Sequence, residues 1–301
     1  MPDLLAARRR ATAAGAVAVL LWASLALLTA ASGRVPPFQL AAMSFAVGGA
    51  VGLGAILAGR RGFGAWRQPW PVWALGVAGL FGYHFAYFTA LRNAPPVEAG
   101  LIAYLWPLLI VLLSALLPGE RLGWHHVAGA LAGFAGAALI VTGGDGVGFR
   151  PEHGFGYAMA LVCAFVWSGY SVLSRRFGSV PTDVVAGYCL ATAALATLAH
   201  LGLEETVWPA TTGQWLAVAG LGLGPVGAAF YVWDHGVKRG DIQVLGALSY
   251  LAPLLSTLAL VAAGLAHADA TVAVACALIT AGAALAAKDL LLRPGAARER
   301  R

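Results

Sequence analysis

The side chains best suited to bind something are aromatic, not acidic or thiol. Tyr83, His84 and Tyr87 stand at i, i+1 and i+4, which places them along one helical face. Such a stripe offers ring faces for stacking, with hydroxyls and an imidazole for hydrogen bonds, and suits a planar ligand with a polar end. The plainer reading is a histidine bonded to a neighbouring helix. Tyr104, Trp106 and Trp167 have the same character and lie deep inside apolar runs, away from the run ends where interfacial Tyr and Trp collect. On a regular helix Tyr104 and Trp106 point ~200° apart. They share a pocket only if a break at Pro107 swings them together. Trp66, Trp70, Trp73, Trp208 and Trp215 fall near run ends and read as an interfacial belt.

Other chemistries lack their signatures. No GxxxxGK[ST] cradle for a nucleotide occurs, and no HExxH or Cys/His cluster at metal spacing, so neither cofactor nor metal is expected. Cys163, Cys189 and Cys276 sit inside apolar runs and read as small core residues. His125-His126 has no partner at i+4 and falls in a connection; acidic residues converging there would favour a membrane enzyme. Glu98 and Asp234 read as helix-end residues in water, leaving His84 as the ionisable group for any proton coupling.

The elements that carry these residues follow from composition. Hydrophobic residues make up 60% of the chain and charged ones 11%, against roughly a quarter charged in a soluble domain. So few charges cannot cover a soluble surface, but a lipid bilayer can. The net charge of +6 is scattered over short connections without a basic stripe, which argues against nucleic acid. Crossing ~30 Å of hydrocarbon takes about 20 residues. Ten runs qualify: 11–31, 37–58, 70–91, 96–117, 124–142, 155–174, 183–203, 213–235, 241–264 and 270–290. The first follows Arg8-Arg9-Arg10 and imitates a secretory signal, but its length and the spans after it make it a retained span. With both termini cytoplasmic, all nineteen Lys and Arg except Arg34, Arg92 and Arg150 fall on the cytoplasmic side, Arg60, Arg61, Arg293, Arg298, Arg300 and Arg301 among them.

The chain also repeats itself. Trp22 and Pro36 match Trp167 and Pro181 at an offset of 145. Tyr104-Leu105-Trp106-Pro107-Leu108-Leu109 matches Tyr250-Leu251-Ala252-Pro253-Leu254-Leu255 at 146, as do Gly76 with Gly222 and Gly100 with Gly246. The halves, 1–147 and 148–301 with its basic tail, hold five spans each. An odd number inverts the second half, so the expected fold is an all-α integral membrane protein of ten helices in two inverted repeats around a central cavity. That architecture belongs to secondary transporters that rock about a midplane site. Pro107 and Pro253, with Gly100 and Gly246, are the expected kink and gating positions. His84 maps to Phe230, Tyr83 to Ala229 and Trp106 to Ala252, so the polar aromatics would line an asymmetric pocket.

The repeat, its first-span tryptophans, the Tyr-Leu-x-Pro-Leu segments and Gly119-Glu120-Arg121-Leu122 resemble the EamA-type drug/metabolite transporters. Tyr83-His84-x-x-Tyr87, Tyr104-x-Trp106-Pro107 and Trp167 are most similar to aromatic amino-acid exporters of the YddG type. The second half departs from the pattern by lacking Glu-Arg after its Tyr-Leu-Ala-Pro. The resemblance implies a ten-helix basket in a bacterial inner membrane, able to work as a single bundle, exporting aromatic and other bulky amino acids by alternating access. Facilitated diffusion needs no coupling group. The alternative is proton-coupled export of cationic drugs or other metabolites.

Overall fold

The computed structural model describes residues 2–59, 62–145, 147–262 and 269–289. Arg60, Arg61, Arg293, Arg298, Arg300, Arg301 and the basic tail lie outside the described residues. Within them all regular structure is helical. Among the described residues nine helices are long and apolar enough to cross a membrane: α1 (Leu4–Ala31), α2 (Pro37–Ala58), α3 (Trp70–Asn93), α4 (Pro96–Ser114), α5 (Trp124–Thr142), α6 (Pro151–Phe177), α7 (Val184–Leu203), α8 (Thr212–Arg239) and α9 (Ile242–Ala262). A tenth, α10 (Ala270–Ala286), is apolar but shorter. The sequence runs are therefore found as helices, with α1 starting earlier than expected, so that Arg8, Arg9 and Arg10 ride on its first turns. Short connections make the helices alternate in direction. The face holding the N-terminus is called proximal here, the other distal.

The main helix pairs join the two halves: α5 packs on α10, α2 on α7, α4 on α9, α1 on α8 and α3 on α6. Exchanging the halves maps this set of pairs onto itself, as an internal repeat requires. Small residues permit the close approaches, since lipid supplies no hydrophobic drive between helices. A Cβ on Gly129 would lie 2.5 Å from the Gly282 carbonyl, and one on Gly282 2.5 Å from the Gly129 carbonyl. The matched pair Gly76 and Gly222 does the same work twice, Gly76 under the ring of Tyr188 on α7 and Gly222 against Val47 and Ser44 of α2.

Besides a break at Ser24 in α1, regularity fails among the described residues in two matched pairs of places. A π-helical turn occupies Ala78–Gly82 in α3 and another Gly224–Ala228 in α8, in register at the repeat offset. The second pair is a break in α4 between Ala103 and Trp106 and one in α9 between Leu248 and Leu251. Each break falls just before the proline expected to cause it. A proline ring clashes with the carbonyl four residues earlier, here that of Ala103 or Ser249, so the damage appears on its N-terminal side.

The matched glycines of these helices are not equivalent. A Cβ on Gly246 would meet Val111 at 2.9 Å and the Pro107 carbonyl at 3.1 Å, whereas one on Gly100 would meet nothing closer than Val141 at 3.9 Å. Gly100→Ala is therefore expected to be neutral or mildly stabilising, by up to ~1 kcal/mol. Gly246→Ala is expected to cost about 1–3 kcal/mol by overpacking. Thermal midpoints of the two purified variants check the contrast.

Candidate substrate site

The two π-helical turns face the middle of the bundle, and each offers a carbonyl to an aromatic N–H. His84 Nδ1 donates to Leu80 O at 2.7 Å, within α3. Trp22 Nε1 donates from α1 to Pro225 O in α8 at 3.1 Å. Turns of this kind are rare and occur often at functional sites. Here they anchor two members of a continuous aromatic cluster.

Trp22 is its hub. Its ring centroid lies 6.0 Å from Trp106, 5.8 Å from Trp167, 6.4 Å from Phe230 and 5.0 Å from Trp233. Trp106 meets Trp167 edge-on at 6.2 Å, and Trp167 stacks on Trp233 at 6.2 Å. From Trp167 the cluster continues to Tyr83 at 5.5 Å, and Tyr83 stacks on Tyr87 at 6.1 Å. His84 sits beside Tyr83 and edge-on to Phe45 at 5.0 Å. Tyr104 lies within electrostatic reach of Tyr83 and Tyr87. The structure thus joins by ring contacts five of the six aromatic residues singled out from the sequence, Tyr83, His84, Tyr87, Trp106 and Trp167, with Tyr104 within electrostatic reach of the two tyrosines. The break in α4 falls between Ala103 and Trp106, at Tyr104 and next to Trp106.

Four members were not anticipated: Trp22, Phe45, Phe230 and Trp233. Three of them could have been found from the repeat alone, because Trp22 is the counterpart of Trp167, Phe230 that of His84 and Trp233 that of Tyr87. Trp233 is fully buried and donates Nε1–H to Ser171 Oγ at 3.1 Å. The hydroxyls and imidazole come from α3 and α4, while α8 presents Phe230 and Trp233. The cluster is asymmetric in chemistry though symmetric in placement.

Charged clusters close both ends. At the proximal face Glu120 bridges Arg175 at 2.6 Å and Arg8 at 3.3 Å, and Arg8 also meets Asp241 at 3.0 Å. Arg175 further donates to the Val237 and Gly240 carbonyls at the end of α8. At the distal face Glu204 accepts from the N–H groups of Phe38 and Gln39 at the start of α2, and pairs with Arg92 at 2.7 Å and His200 at 3.0 Å.

Some residues take roles the sequence did not suggest. Asp234 is not a helix end in water: it is 1% exposed and bound by Lys238 and Thr182. Trp66 and Trp73 are half-buried. Trp66 donates to Asp183 O, and Trp73 donates to Trp66 O and meets Tyr188 edge-on. Trp70, Trp208 and Trp215 are exposed as a belt requires. His125 approaches Asp289 at 3.3 Å, and His126 Nδ1 accepts the Gly123 N–H as a helix cap. Among the described residues no three His, Cys, Asp or Glu group so as to hold a metal.

The chain as a whole is similar to known proteins. The sequence profile of the EamA-like transporter family matches twice, over residues 10–142 and 154–288. The chain belongs to the EamA-like transporter family. This EamA-like protein is 60% identical over 280 residues to the aromatic amino acid exporter YddG of Ancylobacter novellus, covering 93% of this chain and 97% of that one. It is 25% identical to the protein of the same name from Escherichia coli, over 83% of this chain and 87% of the other. A crystal structure at 59% identity matches with a TM-score of 0.89 over 93% of this EamA-like chain and 98% of its own. Two five-helix repeats, the family architecture, carry the aromatic cluster between them.

Proposed function

We propose that this transporter exports aromatic and other bulky amino acids across a bacterial inner membrane, with both termini cytoplasmic and the halves 1–147 and 148–301 rocking about the aromatic cluster. The carrying observation is the cluster itself, in which rings from both halves converge between two turns that expose backbone carbonyls. An aromatic side chain would stack among Trp22, Trp106 and Trp167, and its polar end would meet Tyr83, His84, Tyr87 and Tyr104. The name of the 60% identical relative supports this reading. The proximal face, with Arg8 and Arg175, is the cytoplasmic one by the distribution of positive charge. His84 sits among rings with Nδ1 spent on a carbonyl, which supports gradient-driven movement over proton exchange. Bending at the breaks before Pro107 and Pro253, beside Gly100 and Gly246, would supply the motion.

The test is uptake of labelled tryptophan by proteoliposomes, with leucine, lysine and a lipophilic cation for comparison and with or without a pH gradient. Tryptophan uptake above empty liposomes, insensitive to the gradient, is expected. Trp106→Ala and Tyr83→Ala are each expected to lower it about tenfold, the size of a lost ring contact with its area. Because tryptophan faces attract cations too, movement of the cation alone would replace the amino-acid reading with drug export. Undiminished transport in both variants at normal abundance would remove the cluster from the mechanism.

A further inference from the structure

The break in α4 is filled by a side chain from the other half. Pro107 has no N–H to give, and α4 is interrupted between Ala103 and Trp106. In a regular helix the next bond would run from the Leu108 N–H to the Tyr104 carbonyl. The hydroxyl of Tyr250 stands between them instead. It accepts from Leu108 N–H at 3.1 Å and donates to Tyr104 O at 3.2 Å. A hydroxyl has one proton and two lone pairs, so one oxygen satisfies both orphaned groups. A group inserted into the helical ladder in this way keeps the helix bent.

Tyr250 is held firmly enough to act as a wedge. It is fully buried, with its ring against Phe134 and over Gly133 of α5, where a Cβ would come within 2.5 Å of it. It is also the repeat counterpart of Tyr104, so two residues in equivalent places have divided the work. The second-half tyrosine serves backbone groups. The first-half tyrosine lies within electrostatic reach of Tyr83 and Tyr87. The bond that Tyr250 interrupts flanks Tyr104 and Trp106, the two rings whose directions on a straight helix diverge by ~200°.

We propose that Tyr250 is a positioning residue for the transport site: its hydroxyl holds α4 open before Pro107 and so aims Tyr104 and Trp106 into one pocket. The binding assay below rests on the aromatic-substrate reading; the exchange assay does not.

Tyr250→Phe removes one oxygen and keeps the ring. In purified protein it is expected to weaken equilibrium binding of labelled tryptophan by about fivefold, the worth of a net hydrogen bond. On a Trp106→Phe background the further loss is expected to be small, because the hydroxyl acts through that ring. Binding within about twofold of wild type, or a loss that multiplies in full with that of Trp106→Phe, overturns the proposal. Without any ligand, the Leu108 amide is expected to exchange its hydrogen faster in Tyr250→Phe, and unchanged exchange also overturns it. Wild-type protein that does not bind tryptophan refutes the substrate reading alone, and the exchange result then decides. Should Tyr250→Phe fail to fold, Gly133→Ala presses the ring from behind while keeping the hydroxyl. It is expected to shift exchange and binding in the same direction, and wild-type values for both overturn the wedge.

Discussion

Asp234→Ala is expected to be among the most destabilising single changes in the protein, and Asp234→Ala with Lys238→Met to recover most of the loss. The pair lies in the last turns of α8, with 1% and 4% of the two side chains exposed. Lys238 reaches Asp234 at 2.8 Å and also the Val180 carbonyl at 3.1 Å, and Thr182 donates to the same carboxylate at 2.8 Å. The connection between α6 and α7 is thus folded over the charges and keeps water away. Beside them a void of about 10 Å³, lined by Tyr170, Ser174 and Tyr188, has room for one water at most. Removing one member of such a pair leaves the other charged and unpaired in a dry place, at a cost of about 3–5 kcal/mol. Removing both leaves no charge to solvate. Thermal midpoints of the single and double variants in detergent test this. A double variant as unstable as Asp234→Ala would show that the cost lies in the lost Thr182 and Val180 contacts and not in the orphaned charge.

Glu120→Gln is expected to loosen the proximal face. Glu120 is the only acid that holds Arg8 of α1 and Arg175 of α6 at once, among the pairs within the described residues. Through Arg175 it is also tied to the end of α8, so three helices of two halves meet on one carboxylate. An amide keeps the shape and loses the charge, while Arg8 retains Asp241 and Arg175 retains its two carbonyls. The helices should therefore stay folded while the closed arrangement loses about 1–3 kcal/mol relative to the open one. A cysteine at the buried Ser174, next to Arg175, reports this. Its reaction with a membrane-impermeant thiol reagent is expected to be faster by about tenfold or more in Glu120→Gln, since 1.4 kcal/mol is a factor of ten. An unchanged rate in protein of wild-type stability would make the cluster a fastening and not a gate.

The same carboxylate shows why one half carries Gly119-Glu120-Arg121 and the other has no match for it. Inversion places the two halves' corresponding loops at opposite faces, and the faces are closed differently. The proximal one uses Glu120 between two arginines, the distal one Glu204 at the start of α2. Arg92 and Lys238, which are repeat counterparts, each pair with an acid, but Arg92 reaches across to Glu204 and Lys238 turns back to its own helix. A shared fold does not force shared end chemistry.

Much of the architecture was legible before any coordinates. Span positions followed from run length against bilayer thickness, and the two halves from a nearly constant offset, because both are properties of the chain read in order. The six candidate aromatics stood out for a related reason: polar rings at mid-span are costly against lipid and are expected to point inward. What could not be read was which contacts between distant segments build the cluster, those of Phe45 among them. Trp22 and Trp233 join it only because α1 packs on α8 across the halves. Asp234 resembled a helix end in water because it lies near the inner end of its span; its burial is decided by where the loop between α6 and α7 folds. The π-helical turns and the Tyr250 wedge were equally hidden. Composition and spacing along one chain determined what enters the membrane and how often it repeats. The tertiary structure alone decided which freed carbonyl meets which ring and which charge stays dry, because those energies depend on contacts between segments far apart in sequence.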